Sequence, residues 1–372
     1  MFILIHEISM GVTKGGEKIE DKAFSSVSLK LVKAAPLFRK FLKDIAPKIY
    51  IPDVSYEILK AFSNIDVTAE KVADFLKANP YYQYEFLKMI ESKGMREELP
   101  SMDAAVILLG MQNSRDLIVS MQLLKTTKGL WPEWDKDGKL KLNPPDILKY
   151  ALKTEEYLNS FKYEYSDMGY VGGLFFDVLA LIAVDYAKDK KKVLDYIENI
   201  YNHGFQTAKI GLELIKTIPS VSYSKYFFAA CLTHDIGKII LALIEPDYFQ
   251  FCDVAAKKGL PRIIQNFTEQ QKYGVSHHLL GATACHYFRL FKPIEKAILY
   301  HHHPFLLKSA RKGLYQLSSL VCLSTNIASN FKKPEKANDP ILKLWKGREL
   351  QDFKYDAKNL MPIVMRLAQS AS

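Results

Sequence analysis

The sequence predicts an all-α protein, organised as an N-terminal helical bundle followed by a second helical bundle. Three observations lead there. Apolar residues recur at spacings of three and four through most of the 372 residues, no alternating strand pattern separates the periodic segments, and residues that start or stop helices fall where the period begins or ends. With 48% apolar residues the chain can bury a large core, and its length allows two or three units.

The first part, residues 1–125, contains "SYEILKAFSN" (55–64) and "TAEKVADFLKANP" (68–80), both of helical period, with Thr68 a candidate N-cap and Pro80 a candidate stop. "SMDAAVILLGMQNSRDLIVSMQLLK" (101–125) continues the pattern, and Ser101 suits its start. The second part, 126–199, is expected to be an insert of a loop followed by helices; it opens with "TTKGLWPEWDKDGKLKLNPP", whose prolines, glycines and "KDGK" turn mark the loop, with Trp131, Pro132, Trp134 and Pro144 as anchors. "PDILKYALKTEEYLNSF" and "GGLFFDVLALIAVDYAK" then read as helices. The latter is apolar on most sides and is expected to be buried against the following bundle. "KKVLDYIENIYNHGFQTAKIGLELIKTI" leads into the third part, 200–330, and residues 331–372 form a C-terminal helical tail.

Composition excludes several function classes. Cys231, Cys252, Cys285 and Cys322 lie far apart with no CxxC pair, which fits a reducing cytoplasm and neither a disulfide framework nor a cysteine zinc site. "MFILIH" is too short for a signal sequence, and no uninterrupted apolar run of about 18 residues is present, so export and a membrane partner are not expected. The net charge of +10 is spread along the chain, and the densest cluster, "KDKKK" (188–192), reads as a solvated helix end. The sequence therefore points away from nucleic acid.

The histidines carry the chemistry. Of nine, only His6 lies outside 203–303; the others are His203, His234, the pair His277 and His278 followed by His286, and the triplet His301 to His303. Neutral imidazoles together with one carboxylate describe a site for iron, manganese or zinc, and Asp235, next to His234 in "LTHDIGKII", has two oxygens with which to bridge two ions. Such a site supports metal-assisted hydrolysis at phosphorus. Each group also has a bland reading. His203 alone would be a satisfied helix residue; His278 and His286 fall at other helical phases from His277 and are expected on the surface or in packing; His303, before Pro304, suits a helix end. The segments "GLFFDVLALIA" (173–183) and "CLTHDIGKIIL" (231–241) echo each other when Asp177 and Asp235 are superposed, with Phe176 where His234 stands. Two helices of similar burial produce such a likeness without duplication.

The order of the groups, His203, "HDIGK" (234–238), "HHLLGA" from His277, and "YHHHP" (300–304), resembles the metal-dependent HD superfamily of phosphohydrolases. More narrowly, "YIPDVSYEILKAF", "VADFLKANPYYQYEFLKMI", "AAVILLGMQNSRDLIVSM", "GVSHHLLGATACHYF" and "AILYHHHP" are similar to the successive motifs of its HDOD branch, the HD-related output domain of bacterial signalling proteins, over roughly 30–330. The resemblance implies one or two divalent ions held by His203, His234, Asp235, His277, His301 and His302, with Asp235 and Lys238 the catalytic candidates if the site is active. It also implies either a regulatory module that binds a signalling protein or a small anionic ligand, or a phosphohydrolase acting on a nucleotide or cyclic nucleotide. Two departures favour the regulatory module: the late helix has Thr325 and Asn326 where the superfamily supplies an Asp, and no "DGxGYP" follows the histidines. At Lys238 a solvated surface lysine is the expectation, with a contact to an anionic ligand the alternative.

Overall fold

The computed structural model describes residues 36–49, 67–78, 80–92, 101–128, 144–216, 221–258, 262–307 and 312–330. The helix expected over 55–64, Trp131, Pro132 and Trp134, and the tail 331–372 lie outside the described residues. Among the described residues there is no strand.

The chain begins with α1 (Pro36–Lys40), a π-helical turn (Phe41–Ile45) and α2 (Ala46–Ile49). There follow α3 (Ala69–Ala78), α4 (Pro80–Ser92), α5 (Met102–Leu109), α6 (Met111–Lys128), α7 (Pro144–Ile147), α8 (Lys149–Ser160), α9 (Ser166–Tyr186), α10 (Lys190–Ile215), α11 (Ser224–Thr233) and α12 (Ile236–Ile244). The last elements are α13 (Tyr248–Lys257), α14 (Arg262–Tyr273), α15 (His277–Tyr287), α16 (Lys292–Tyr300), a 3-10 turn (Pro304–Leu307) and α17 (Lys312–Asn330). The helix signals behave as expected: the Thr68 hydroxyl accepts from the Lys71 amide, the Ser101 hydroxyl from the Ala104 amide, and Pro80 opens α4 directly after α3 has ended. The loop expected from residue 126 begins later, because α6 runs on to Lys128.

Among the described residues two large hydrophobic cores form, and α6 belongs to both. Its Leu117, Ile118 and Met121 pack with Val72, Leu76, Phe86, Ile90 and Val106 of α3 to α5. Its Val119, Leu123 and Leu124 join the larger core, which takes in α1, α2 and α7 to α17. An ion cluster sits where α6 meets α8 and α9: the Arg115 guanidinium donates twice to Glu155, at 2.7 and 2.6 Å, and once to Asp116, while lying over the Tyr170 ring. The Tyr170 hydroxyl donates to Asp116. Burying charges this deeply is tolerable only when they are paired in this way.

As the sequence predicts, α9 is buried; it packs on α8, α10, α11 and α12, and Phe175 stacks on Phe288, the residue after α15, at 4.3 Å. Among the described residues two segments, Ser166–Tyr186 and Ser224–Ile244, are long and apolar enough to cross a membrane by length and composition alone; 72% and 94% of their apolar windows are buried inside the fold, as in core helices. Asp177 of α9 accepts the amides of Tyr150 and Ala151 at 2.9 Å each, so this buried carboxylate caps the first turn of α8.

Candidate metal centre

The segment "CLTHDIGKIILALI" reads as one helix, but the helix breaks at the polar pair: α11 ends at Thr233, α12 starts at Ile236, and His234 and Asp235 form the turn between them. Asp235 lies at φ −101°, ψ 9°, the sparsely populated bridge region between helix and strand. The break turns both side chains into the space bounded by α10, α12, α15 and the end of α16. Two glycines permit the close approach. A Cβ on Gly204 of α10 would meet the Leu232 carbonyl of α11. One on Gly237 of α12 would meet the His277 carbonyl and lie 2.7 Å from the Gly281 amide nitrogen of α15. The missing side chain of Gly237 thus lets α12 lie against the backbone of α15 at His277, which brings Asp235 and His277 close.

All six residues expected as ligands come together. Asp235 is the centre: its Oδ2 lies 3.4 Å from His234 Nε2 and 3.9 Å from His203 Nε2, and its Oδ1 lies 3.4 Å from His277 Nε2 and 3.9 Å from His301 Nε2. His302 Nε2 lies 3.0 Å from His277 Nε2, a separation at which two ring nitrogens share a hydrogen or a cation. The donors form two groups that have Asp235 in common, one with His277, His301 and His302, the other with His203 and His234; within each group the ligating atoms lie within 4.8 Å of one another.

The tautomers follow from the other ring nitrogen. His234 Nδ1 donates to the Cys231 carbonyl at 2.7 Å, His301 Nδ1 to the Ile298 carbonyl at 2.6 Å, and His277 Nδ1 to the Glu269 carboxylate at 2.7 Å. All three therefore present a bare Nε2 toward Asp235. His234 Nε2, His301 Nε2 and Asp235 Oδ1 are buried without a hydrogen-bond partner. Acceptors converging on a carboxylate repel one another unless a cation lies among them, so the residues present fit a divalent ion.

Electrostatics agree. Burial alone would raise the Asp235 carboxyl, but the Lys238 ammonium beside it holds it well below its usual range. Burial, reinforced by His234, keeps the His301 imidazole neutral far below its ordinary titration range. Lys238 departs from the expected solvated lysine: one turn after Asp235, with 19% of its side chain exposed, it donates to Asp235 Oδ2 at 2.7 Å. The i, i+3 spacing across the start of α12 brings it there.

Among the other histidines, His286 is exposed as expected and pairs with Glu295 at 3.7 Å, and His303 follows the end of α16. His278 is half-buried at the rim, with its Nδ1 sealed from solvent and unpartnered. Thr325 is buried on α17 and its hydroxyl is unpartnered, so no carboxylate stands at that position. Glu269 went unnoticed in the sequence. Buried on α14, it accepts from His277 twice, at Nδ1 and at the backbone amide, and from the Tyr248 hydroxyl at 2.8 Å. The only hint was an acidic residue eight positions before His277, which no local spacing rule singles out.

Asp177 and Asp235, superposed in the internal echo, have different roles here, one capping a helix and the other gathering imidazoles. The surrounding hairpins still correspond: Thr154 back-bonds to the Tyr150 carbonyl beside Asp177, and Thr207 to the His203 carbonyl beside Asp235. The pattern of the HDOD domain family matches twice, over residues 49–196 and 177–304, and each match contains one of the two echoing segments. No curated protein sequence matches the chain. Solved structures similar to it include a candidate phosphohydrolase from Shewanella amazonensis SB2B (17% identity, 90% of this chain and 94% of that one, TM-score 0.43). An HDOD domain protein of unknown function from Geobacter sulfurreducens matches at 15% identity over 92% and 97% of the two chains, TM-score 0.41. The MmoQ response regulator from Methylococcus capsulatus strain Bath matches at 14% identity over 87% and 99%, TM-score 0.32. The family assignment rests on the family pattern, which spans more than half of the 372 residues: the chain belongs to the HDOD domain family.

Proposed function

We propose that this chain is a regulatory signalling module that works by binding a protein partner or a small anionic ligand, and that it holds a divalent ion, iron, manganese or zinc, on the Asp235 cluster. What supports the ion is the convergence of buried, partnerless acceptors, His234 Nε2, His301 Nε2 and Asp235 Oδ1, each costing about 1–3 kcal/mol if left unsatisfied. Asp235, His277, His301 and His302 would hold one ion, and His203, His234 and Asp235 a second. A bound ion would supply Lewis-acid polarisation of a phosphoryl oxygen. The chain's own part is to orient the imidazoles through their Nδ1 hydrogens and to bring the Lys238 ammonium beside the carboxylate, where an anion could meet it. Thr325 in place of a late carboxylate supports binding over turnover. Four free cysteines fit a reducing, cytoplasmic setting.

A second reading, a metal-dependent phosphohydrolase acting on a nucleotide or cyclic nucleotide, draws its support from the shared Asp235, since the two donor groups that have it in common would hold two ions, and such ions would supply phosphoryl-transfer chemistry. One experiment separates the two. The protein is purified without added metal, and metal content, melting temperature and hydrolysis of bis(p-nitrophenyl) phosphate and cyclic dinucleotides are measured for the parent and for the His234→Ala/Asp235→Ala variant. Bound metal in the parent, lost in the variant together with thermal stability, and little hydrolysis are expected. Equal metal content in both proteins would remove the ion from the proposal, and fast metal-dependent hydrolysis would favour the second reading.

A further inference from the structure

We propose that Glu269 sets the order in which the cluster fills: by fixing His277, it makes the position formed by Asp235, His277, His301 and His302 the tight one, and the position formed by His203, His234 and Asp235 fills second. The inference rests on the metal reading above and concerns the chain's own residues.

Glu269 is 1% exposed, and both of its oxygens are used. Oε2 accepts from the ring and the backbone amide of His277, and Oε1 from Tyr248. The His277 ring is thus held by an anion, and its backbone is pinned at the first residue of α15, so Nε2 has one direction in which to point. A carboxylate behind an imidazole also makes the facing nitrogen a better donor than a carbonyl does, and a carbonyl is what stands behind His234 and His301.

Ligand supply points the same way. The Glu269-backed group offers three imidazoles and a carboxylate, against two imidazoles and the same carboxylate in the other. Each group keeps one half-buried imidazole, His302 in the first and His203, 26% exposed, in the second, so the difference between them rests on the extra imidazole and on Glu269. Glu269 does not reach the ion position, and its role is to position His277.

The test uses the full chain, stripped with a chelator and titrated with Mn(II) under calorimetry and electron paramagnetic resonance. The parent should bind in two steps separated by at least about tenfold. Glu269→Gln should weaken the first step about 10- to 100-fold, the range for loss of such a supporting partner, and leave the second in place. His203→Ala should abolish the second step and keep the first. The nitrogen-15 spectrum of His277 should show the Nδ1–H tautomer in the parent and a mixture in Glu269→Gln, a change that a merely structural role would not produce. If Glu269→Gln fails to fold, Tyr248→Phe, which removes one hydrogen bond from Glu269, should weaken the first step alone. A parent that binds no ion would overturn the metal reading itself. Two equal steps, or a first step untouched in both Glu269→Gln and Tyr248→Phe, would overturn only the proposed order.

Discussion

Gly237→Ala tests how the site is held together. The added methyl would run into the His277 carbonyl and lie 2.7 Å from the Gly281 amide nitrogen, both of them backbone atoms that cannot swing aside. Ordinary contact begins near 3.5 Å, so to clear the His277 carbonyl, the nearest of these atoms, α12 and α15 would have to part by about 1.5 Å. The cost should be that of overpacking, about 1–3 kcal/mol, or a fall in melting temperature of roughly 2–4 °C per kcal/mol. The same movement separates Asp235 from His277, now 3.4 Å apart, so metal affinity should fall together with stability. Gly281→Ala is the control: its methyl would meet the Gly237 nitrogen at 3.0 Å and otherwise only side-chain methyls at 3.3 Å, and a smaller effect is expected. Differential scanning fluorimetry with and without chelator reads both quantities. A Gly237→Ala protein that melts within about 1 °C of the parent and keeps its metal would show that the helices are not held at contact and that the reasoning is wrong.

Three further outcomes are expected. Glu155→Gln breaks the bidentate pair with Arg115 in the cluster joining α6 to α8 and should cost about 3 kcal/mol in urea unfolding, since Asp116 still faces the guanidinium; a loss below about 1 kcal/mol would mean that the cluster does not hold the two cores together. Asp177→Ala removes the acceptor for the Tyr150 and Ala151 amides and should destabilise by about 1–2 kcal/mol without changing metal content; metal loss would place Asp177 in the functional site. Burial, followed by the neighbouring His277, pulls His278 down to about 3 from its ordinary 6.5. The folded protein therefore binds fewer protons than the unfolded chain between those values, and stability should drop as pH falls below 6.5, by up to about 1.4 kcal/mol per unit from this group. Urea midpoints at pH 5 and pH 7 should lie closer together in His278→Gln than in the parent, and an equal spacing in both would exclude the effect.

Much of the fold and site was legible in the sequence, for reasons that are local. Helical period, the caps at Thr68 and Ser101 and the restart at Pro80 depend on residues within a turn or two of each other. That these residues would gather could be read because histidine and aspartate are chemically conspicuous and an all-helical chain offers few ways to bring His203, His234, His277 and His301 to one carboxylate. What sequence could not supply was the environment between elements. The break at His234 and Asp235 lies inside a continuous apolar period, and only packing against α15 turns the pair into the site. Lys238 had a surface pattern, yet it lies on Asp235 because the first turn of α12 points it there. Glu269 and Tyr248 acquire meaning only through a carboxylate that closes on His277 from a neighbouring helix. Helix formation is decided by contacts a few residues apart, which the order of residues states directly; hydrogen bonding and burial around a buried charge are decided by groups distant in the chain, and these meet only in the folded protein.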